Sequence, residues 1–216
     1  MRLAEKPARR IIHAEALGWL AANPAEPRTS VITSLPDVSE VQLGLDAWRV
    51  WFMEAARRVI RWVPGECVSN FFQSDIRDRG TWIDKGYLVQ SAAEDEGASL
   101  VWHKIVCRRP ARLATYGRSS YSHMLCISRV PRDRPRHPSA DVLPGAGFMP
   151  WTRAMGVEAC QAACRYLREE TDTAVVVDPF CGHGTVLAVA NTLGLDALGI
   201  DLSSRKCAFA RNLEFA

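Results

Sequence analysis

Residues 178–185 read Asp-Pro-Phe-Cys-Gly-His-Gly-Thr and follow the apolar run Ala174 to Val177. A strand that ends in an acid and runs into a glycine-rich turn can do chemistry for simple physical reasons. Gly182 and Gly184 carry no Cβ, so the backbone there can approach a ligand closely. Thr185 opens a helix whose first amides can meet a carboxylate or a phosphate. Asp178, at the strand tip, can hold an ammonium. Beyond that helix the run Ala197 to Ile200 ends in Asp201, an acid placed to accept both hydroxyls of a ribose.

Two further stretches bear polar groups at places where a fold could use them. The β-branched run Ser30 to Ser34 stops at Leu35-Pro36-Asp37, a tight loop at the carboxyl end of a buried strand. Asp37 there suits a general base or an acceptor for a base edge; capping the loop or the next helix is its other use. Between Lys104 and Arg136 stand nine basic residues against one acid, Asp133, so the rest of this chain of net charge +3 is net negative. With Tyr116 and Tyr121 interleaved, that segment suits a surface that holds phosphates while rings touch bases. A solvated loop would carry the same charge. The seven cysteines (67, 107, 126, 160, 164, 181 and 207) show no paired C-x-x-C spacing, so neither a disulfide framework nor a zinc site is indicated, and no metal is expected.

The elements that must position these groups can be read from periodicity and punctuation. Arg10 to His13 is a short strand, and Ala14 to Ala22 a helix that stops before Asn23-Pro24. From Gly44 to Val63 the apolar positions recur at three and four, which predicts an amphipathic helix ended by Pro64-Gly65. Cys67 to Phe72 reads as a strand, Trp82 to Glu96 as a helix, and Ser99 to Cys107 and Ser122 to Ser128 as strands flanking the basic stretch. Residues 130–150, rich in proline, read as loop. Gly156 to Glu170, Thr185 to Leu193 and Ser203 to Leu213, the last capped by Ser203, read as helices around the strands at Ala174 and Ala197. Strands that alternate with helices imply an α/β, mostly parallel sheet covered on both faces, with ligands at the carboxyl ends of the strands.

A dinucleotide asks for the longer G-x-G-x-x-G. A carboxylate for an ammonium, an amide cradle and a ribose acceptor fit S-adenosylmethionine instead. The run D-P-F-C-G-H-G-T-V-L-A-V-A followed by G-L-D-A-L-G-I-D-L-S resembles the cofactor motif of nucleic-acid base methyltransferases, especially those acting on exocyclic amines. In the circularly permuted class of that family the catalytic strand comes first and the cofactor motif last, which would account for the late position of the turn. The resemblance implies a Rossmann-like class I methyltransferase with seven strands in permuted order. It also implies one domain over residues 1–216: an opening strand and helix (1–29), a catalytic half (30–129), a basic proline-rich loop (130–150) and a cofactor half (151–216). It assigns Asp178, Phe180, Gly182, Gly184, Thr185 and Asp201 to the cofactor. Glu15, at the end of the opening strand, matches the position that contacts adenine. Phe148-Met149-Pro150-Trp151-Thr152-Arg153 is similar to the loop over the methionine end, which adds Thr152.

The strand V-I-T-S-L-P-D stands where the family has its catalytic tetrapeptide: Asp, Asn or Ser, then Pro-Pro, then an aromatic residue that stacks on the flipped base. Ser34 fits the first position and Pro36 keeps the loop rigid; Leu35 and Asp37 depart from the pattern, and no ring can stack from position 37. The catalytic candidates are therefore Ser34, Pro36 and Asp37, and the substrate-binding candidates Lys104, Arg108, Arg109, Arg118, Tyr121 and Trp151. The interval before the covering loop is too short to read a duplex sequence by itself, so the expected substrate is a base in structured RNA, a transfer or ribosomal RNA, with a protein partner supplying further recognition surface. The alternatives are a non-catalytic methyltransferase fold that serves as an RNA-binding or scaffolding subunit, and a DNA amino-methyltransferase. Trp48, Trp51, Trp62 and Trp82 serve core packing or a homodimer contact. No apolar run is long enough for a membrane span, and Met1-Arg2-Leu3-Ala4-Glu5-Lys6 lacks the apolar core of a secretory signal. A reducing intracellular compartment, cytoplasm or nucleus, is expected.

Overall fold

The computed structural model describes residues 6–110 and 112–215; Met1 to Glu5, read above for an export signal, lie outside them. Strands and helices alternate: β1 (Arg9–His13), α1 (Ala16–Ala22), β2 (Thr29–Thr33), α2 (Leu45–Trp62), β3 (Ser69–Gln73), β4 (Ile76–Asp78), β5 (Thr81–Ile83) and α3 (Lys85–Asp95). They are followed by β6 (Ser99–Cys107), β7 (Tyr121–Ser128), β8 (Val142–Leu143), α4 (Val157–Glu170), β9 (Val175–Asp178), α5 (Thr185–Thr192), β10 (Asp196–Asp201) and α6 (Ser204–Asn212). Among the described residues no helix is long and apolar enough to cross a membrane.

Among the described residues eight strands form one sheet in the order β1-β10-β9-β2-β3-β7-β6-β8. All run the same way except β7, which is antiparallel to both β3 and β6. The expected mostly parallel sheet is thus present, but with eight strands rather than seven. The additional strand is β8, two residues paired with Ile105 and Val106 inside the stretch read as loop; so short an edge strand leaves no periodicity in the sequence.

Helices cover both faces. α1, α2 and α3 share one apolar core, in which Trp48, Phe52 and Ile60 of α2 meet Val31, Phe71 and Leu125 of the sheet. α4, α5 and α6 share the other, in which Leu167, Leu187 and Cys207 meet Ile32, Phe72 and Val176. Burial of Phe52, Val59 and Ile60, each at most 1% exposed, contributes about 1.5–3 kcal/mol per side chain. All five residues of β2 and all five of β3 are buried, so these strands read as continuous rather than alternating runs.

A second correction falls on residues 76–84. The predicted helix from Trp82 begins only at Lys85, because Asp84 stops it: its carboxylate accepts the Tyr87 amide as an N-cap. Trp82 belongs instead to a two-stranded hairpin, β4 with β5, whose three-residue strands are too brief to register against the helical pattern beyond them.

The chain's last strands, β9 and β10, lie inside the sheet between β1 and β2. From β9 the next connection leads outward to β10, whereas from β2 it leads the opposite way to β3. The strand order therefore reverses between β9 and β2, and the crevice that such a reversal opens at the carboxyl ends is where a ligand fits. Asp178 and Ser34 flank that crevice.

Candidate active site at the carboxyl edge of the sheet

Strand β9 delivers Asp178 to the crevice floor, where it is 4% exposed. Its Oδ1 accepts the Thr33 hydroxyl at 2.7 Å and the Phe180 amide at 3.1 Å. No hydrogen bond reaches Oδ2 among the described residues. Burial pushes this carboxyl up to about 7, against the pull of those two donors and with a smaller push from Asp201.

The glycine turn follows. Gly182 (φ 52°) and Gly184 (φ 84°) both occupy the left-handed region that disfavours a side chain. The Gly182 amide donates to Asp201 Oδ2 at 3.0 Å, and Asp201 Oδ1 accepts the Ser203 amide at 2.7 Å. Asp201 thus ties the turn to the start of α6 while still facing the cavity. Gly184 differs from its expected role: it caps α5, and a Cβ there would come within 2.8 Å of Ala210 Cβ, so it serves helix packing rather than ligand approach. Thr185, 3% exposed, has a hydroxyl oxygen with no hydrogen-bond partner although it borders the cavity. An orphaned buried hydroxyl costs free energy that a bound polar group would recover.

The loop after β2 explains its own departures. Leu35 is 2% exposed and packs into the core shared with α2, so it anchors the loop where the family pattern has proline. The Pro36 carbonyl accepts the Trp48 indole N–H at 3.2 Å, which fixes the backbone from below. Ser34 is left exposed at the cavity. Asp37 does not face the cavity. Its Oδ1 accepts the Val38 amide at 2.9 Å and lies 3.7 Å from the Lys85 ammonium, whose side chain is 4% exposed. Burial pulls Lys85 below the usual lysine range, and Asp37, then Asp75 and Glu40, oppose that fall. Asp37 is therefore the counter-ion of a buried lysine.

These groups border one cavity of about 910 Å³, within the range of small-molecule and cofactor sites. Glu15, Ser34, Pro36, Trp151, Thr152, Asp178, Phe180, Gly182, Thr185 and Asp201 all line it. Glu15 is also the N-cap of α1, accepting the Leu17 and Gly18 amides. Over the cavity the covering loop is latched to the opposite wall by Arg153, whose Nη1 is 3.2 Å from Glu40 Oε1. The Trp151 and His183 rings pack tilted at 51° with centroids 4.4 Å apart, and His183 meets Phe209 edge-on at 5.0 Å. Burial, then Lys206, lowers the His183 imidazole, so this aromatic group favours its neutral form. Glu40, His183 and Arg153 also line the cavity without having been assigned to it singly; His183 had the G-H-G spacing as a signal and Arg153 its place in the covering-loop run, whereas Glu40 depends on two loops meeting.

The substrate-binding candidates are not brought together. Trp151 lines the cavity. Lys104 is 7% exposed and donates to the Ser139 and Ala140 carbonyls at 3.1 and 2.9 Å, so it holds residues 139–141 to β6. Arg108 donates to the Thr152 carbonyl and to Met149 Sδ at 3.4 and 3.5 Å, so it fastens the covering loop. The Tyr121 hydroxyl donates to Asp75 at 3.3 Å, and its ring stands edge-on to His123. Arg109 and Arg118 are exposed beyond β6. Trp48 is fully buried, which settles it as core, and Trp51 and Trp62 pack partly buried against the same cluster. All seven cysteines are free, and all but Cys107 are buried.

No protein-family model matches the chain, and no curated protein matches it in sequence. Solved structures do match. A candidate DNA modification methylase from Thermus thermophilus, crystallised with S-adenosyl-L-methionine, superposes with a TM-score of 0.72 at 20% identity, over 94% of this chain and 91% of that one. The cytosine-N4-specific PvuII DNA methyltransferase gives 0.74 at 15% identity, over 99% and 91%. The M1.HpyAVI complex with S-adenosylmethionine gives 0.65 at 15%, over 95% and 100%. The chain therefore has the fold of these three proteins, across nearly its whole length.

Proposed function

We propose that this protein is an S-adenosylmethionine-dependent methyltransferase that modifies an exocyclic amine of a nucleic-acid base, with DNA as the favoured substrate. The observation that carries the reading is the pairing, across one cavity, of a buried carboxylate with a free oxygen at Asp178 and an exposed Ser34 hydroxyl, at the point where the strand order reverses. The orphaned Thr185 hydroxyl in the same wall supports a polar ligand there. S-adenosylmethionine supplies an electrophilic methyl group on a sulfonium that is a good leaving group.

The chain's own residues then have little acid-base work to do, and alignment supplies most of the effect. Asp178 would hold the ammonium, Thr185 and the α5 amides the carboxylate, and Asp201 the ribose. Ser34 would accept a hydrogen bond from the target amine and orient its lone pair. Leu35 and the Trp48 contact keep that hydroxyl in place. Asp37, facing Lys85, is not assigned a role toward the base. Placement of the strands that carry the cofactor motif at the end of the chain and the middle of the sheet supports a permuted order.

The first expectation was RNA. The structural neighbours named as acting on a nucleic acid act on DNA, and this favours the DNA alternative. RNA is kept as a second reading on one observation: the segment between β7 and the covering loop contributes only β8 as regular structure, a small surface for reading a duplex sequence. Incubation with radiolabelled S-adenosylmethionine and either DNA or RNA separates the two. Label in DNA that is lost in Ser34→Ala supports the proposal; label in RNA alone supports the second reading. Cofactor binding with no transfer to either supports a scaffold.

A further inference from the structure

Hairpin β4–β5 grows from the carboxyl end of β3, on the same edge as Ser34 and Asp178. It is joined to the segment after β6 by an isolated bridge between Ile76 and Arg118. That segment also supplies Arg108, which fastens the covering loop. The hairpin, the basic segment and the cavity mouth are therefore one continuous wall.

The hairpin's side chains are unusual for a surface ribbon. Trp82 is 39% exposed, yet its indole N–H donates to Asp75 Oδ2 at 3.1 Å. Asp75 is itself buried, held by His123 Nε2 at 3.0 Å and the Lys85 amide at 2.9 Å. The ring is thus pinned at its polar edge to the core while much of it faces solvent. The Arg77 guanidinium lies 5.0 Å from the Trp82 ring centroid, which orients both groups. Arg77, Arg109 and Arg118 are exposed and have no ion-pair partner among the described residues. Tyr116, 96% exposed, stands in the same segment. A solvent-facing ring held at its edge, with a second exposed ring and unpaired guanidinium groups beside it, is the chemistry that binds an unpaired strand, bases on the rings and phosphates on the cations. A duplex, with its bases stacked inside, offers such a wall only its phosphates.

We propose that this wall is a binding surface for nucleic acid with unstacked bases, in which Trp82 stacks on a base and Arg77 and Arg118 hold phosphates. The proposal rests on the reading of the substrate as nucleic acid. It adds the hairpin, and a preference for strands that are unpaired next to the target.

The test is fluorescence anisotropy with an end-labelled single-stranded DNA oligonucleotide and the duplex of the same sequence, on the whole protein, over a salt series. Trp82→Ala is expected to weaken single-strand binding about tenfold, by the scale of base stacking, with little change for the duplex, and Trp82→Phe to recover most of the loss. Arg77→Ala, an exposed change that spares the Asp75 anchor, is expected to reduce the slope of log affinity on log salt by about 0.7. Calorimetry with S-adenosylmethionine accompanies each variant and is expected to match wild type; a thermal melt is expected to match for Arg77→Ala and to fall equally for Trp82→Ala and Trp82→Phe, which both remove the donor to buried Asp75. If wild type binds the single strand and Arg77→Ala, Trp82→Ala and Trp82→Phe all bind it equally well, the wall is overturned while the proposed function stands. If wild type binds S-adenosylmethionine but neither these oligonucleotides nor the RNA single strand of the same sequence, the nucleic-acid reading fails and the wall with it.

Discussion

Asp178→Asn isolates the most informative electrostatic feature of the cavity. Asp178 titrates at about 7 because burial penalises its charged form. An ammonium that pairs with Oδ2 needs the ionised carboxylate, so binding below that value releases a proton. With a midpoint of about 7, half of the protein is ionised at about pH 7 and roughly 3% at about pH 5.5, so the affinity for S-adenosylmethionine should rise about sixteenfold across that interval. The upper limit matters, since an α-amino group begins to lose its own proton above about pH 7.7. Asp178→Asn keeps an oxygen for the Thr33 and Phe180 donors and should bind more weakly at about pH 7, with that pH dependence gone. Stability follows the same linkage. A folded value raised above about 3.9 makes the group's contribution most favourable below that pH and progressively lost as pH rises through about 7, up to about 4 kcal/mol in the unliganded protein. The variant should lack that part of the decline. Titration calorimetry from about pH 5.5 to about pH 7, with urea unfolding at both ends, measures the two effects. A flat affinity in wild type, or the same slope in Asp178→Asn, refutes the assignment of the ammonium to Asp178.

Leu35→Ala should cost about 2–5 kcal/mol in chemical unfolding, because a side chain 2% exposed leaves a cavity under the target loop. Ser34→Ala, at an exposed position, should change stability by no more than about 0.5 kcal/mol and act on methyl transfer alone, a contrast that stability and radiolabel assays read together. Asp37→Asn should lower stability by about 1–3 kcal/mol through the buried Lys85 it leaves less compensated, with cofactor affinity by calorimetry unchanged. Gly184→Ala combines a left-handed backbone with a 2.8 Å approach to Ala210, and a thermal melt should show it less stable by more than the about 1 kcal/mol of an ordinary helix glycine change.

The cofactor half was the legible part of this sequence. Asp178, Gly182, Thr185 and Asp201 are close together in the chain, and one strand-turn-helix-strand unit carries them to the cavity, so spacing sufficed. The target loop was half legible. Ser34 followed from its place at a strand end, but the turning of Asp37 toward Lys85 depends on α3, which lies 48 residues further along the chain. The surroundings of Lys104 and Tyr121 were not legible, because a basic or aromatic residue in a strand does not say which way it faces; both have partners in segments distant in sequence, at Ser139 and Asp75. The β4–β5 hairpin was hidden by length, since strands of three residues carry no measurable alternation.

The central claim is that the cavity presents a methyl donor to a base amine beside Ser34. Its most direct test is mass spectrometry of nucleosides from DNA incubated with the purified protein and S-adenosylmethionine bearing a deuterated methyl group. The account predicts a deuteriomethyl group on the exocyclic nitrogen of adenine or cytosine, absent with Ser34→Ala. Label on a ring carbon, or label on the exocyclic nitrogen undiminished by Ser34→Ala, would contradict it.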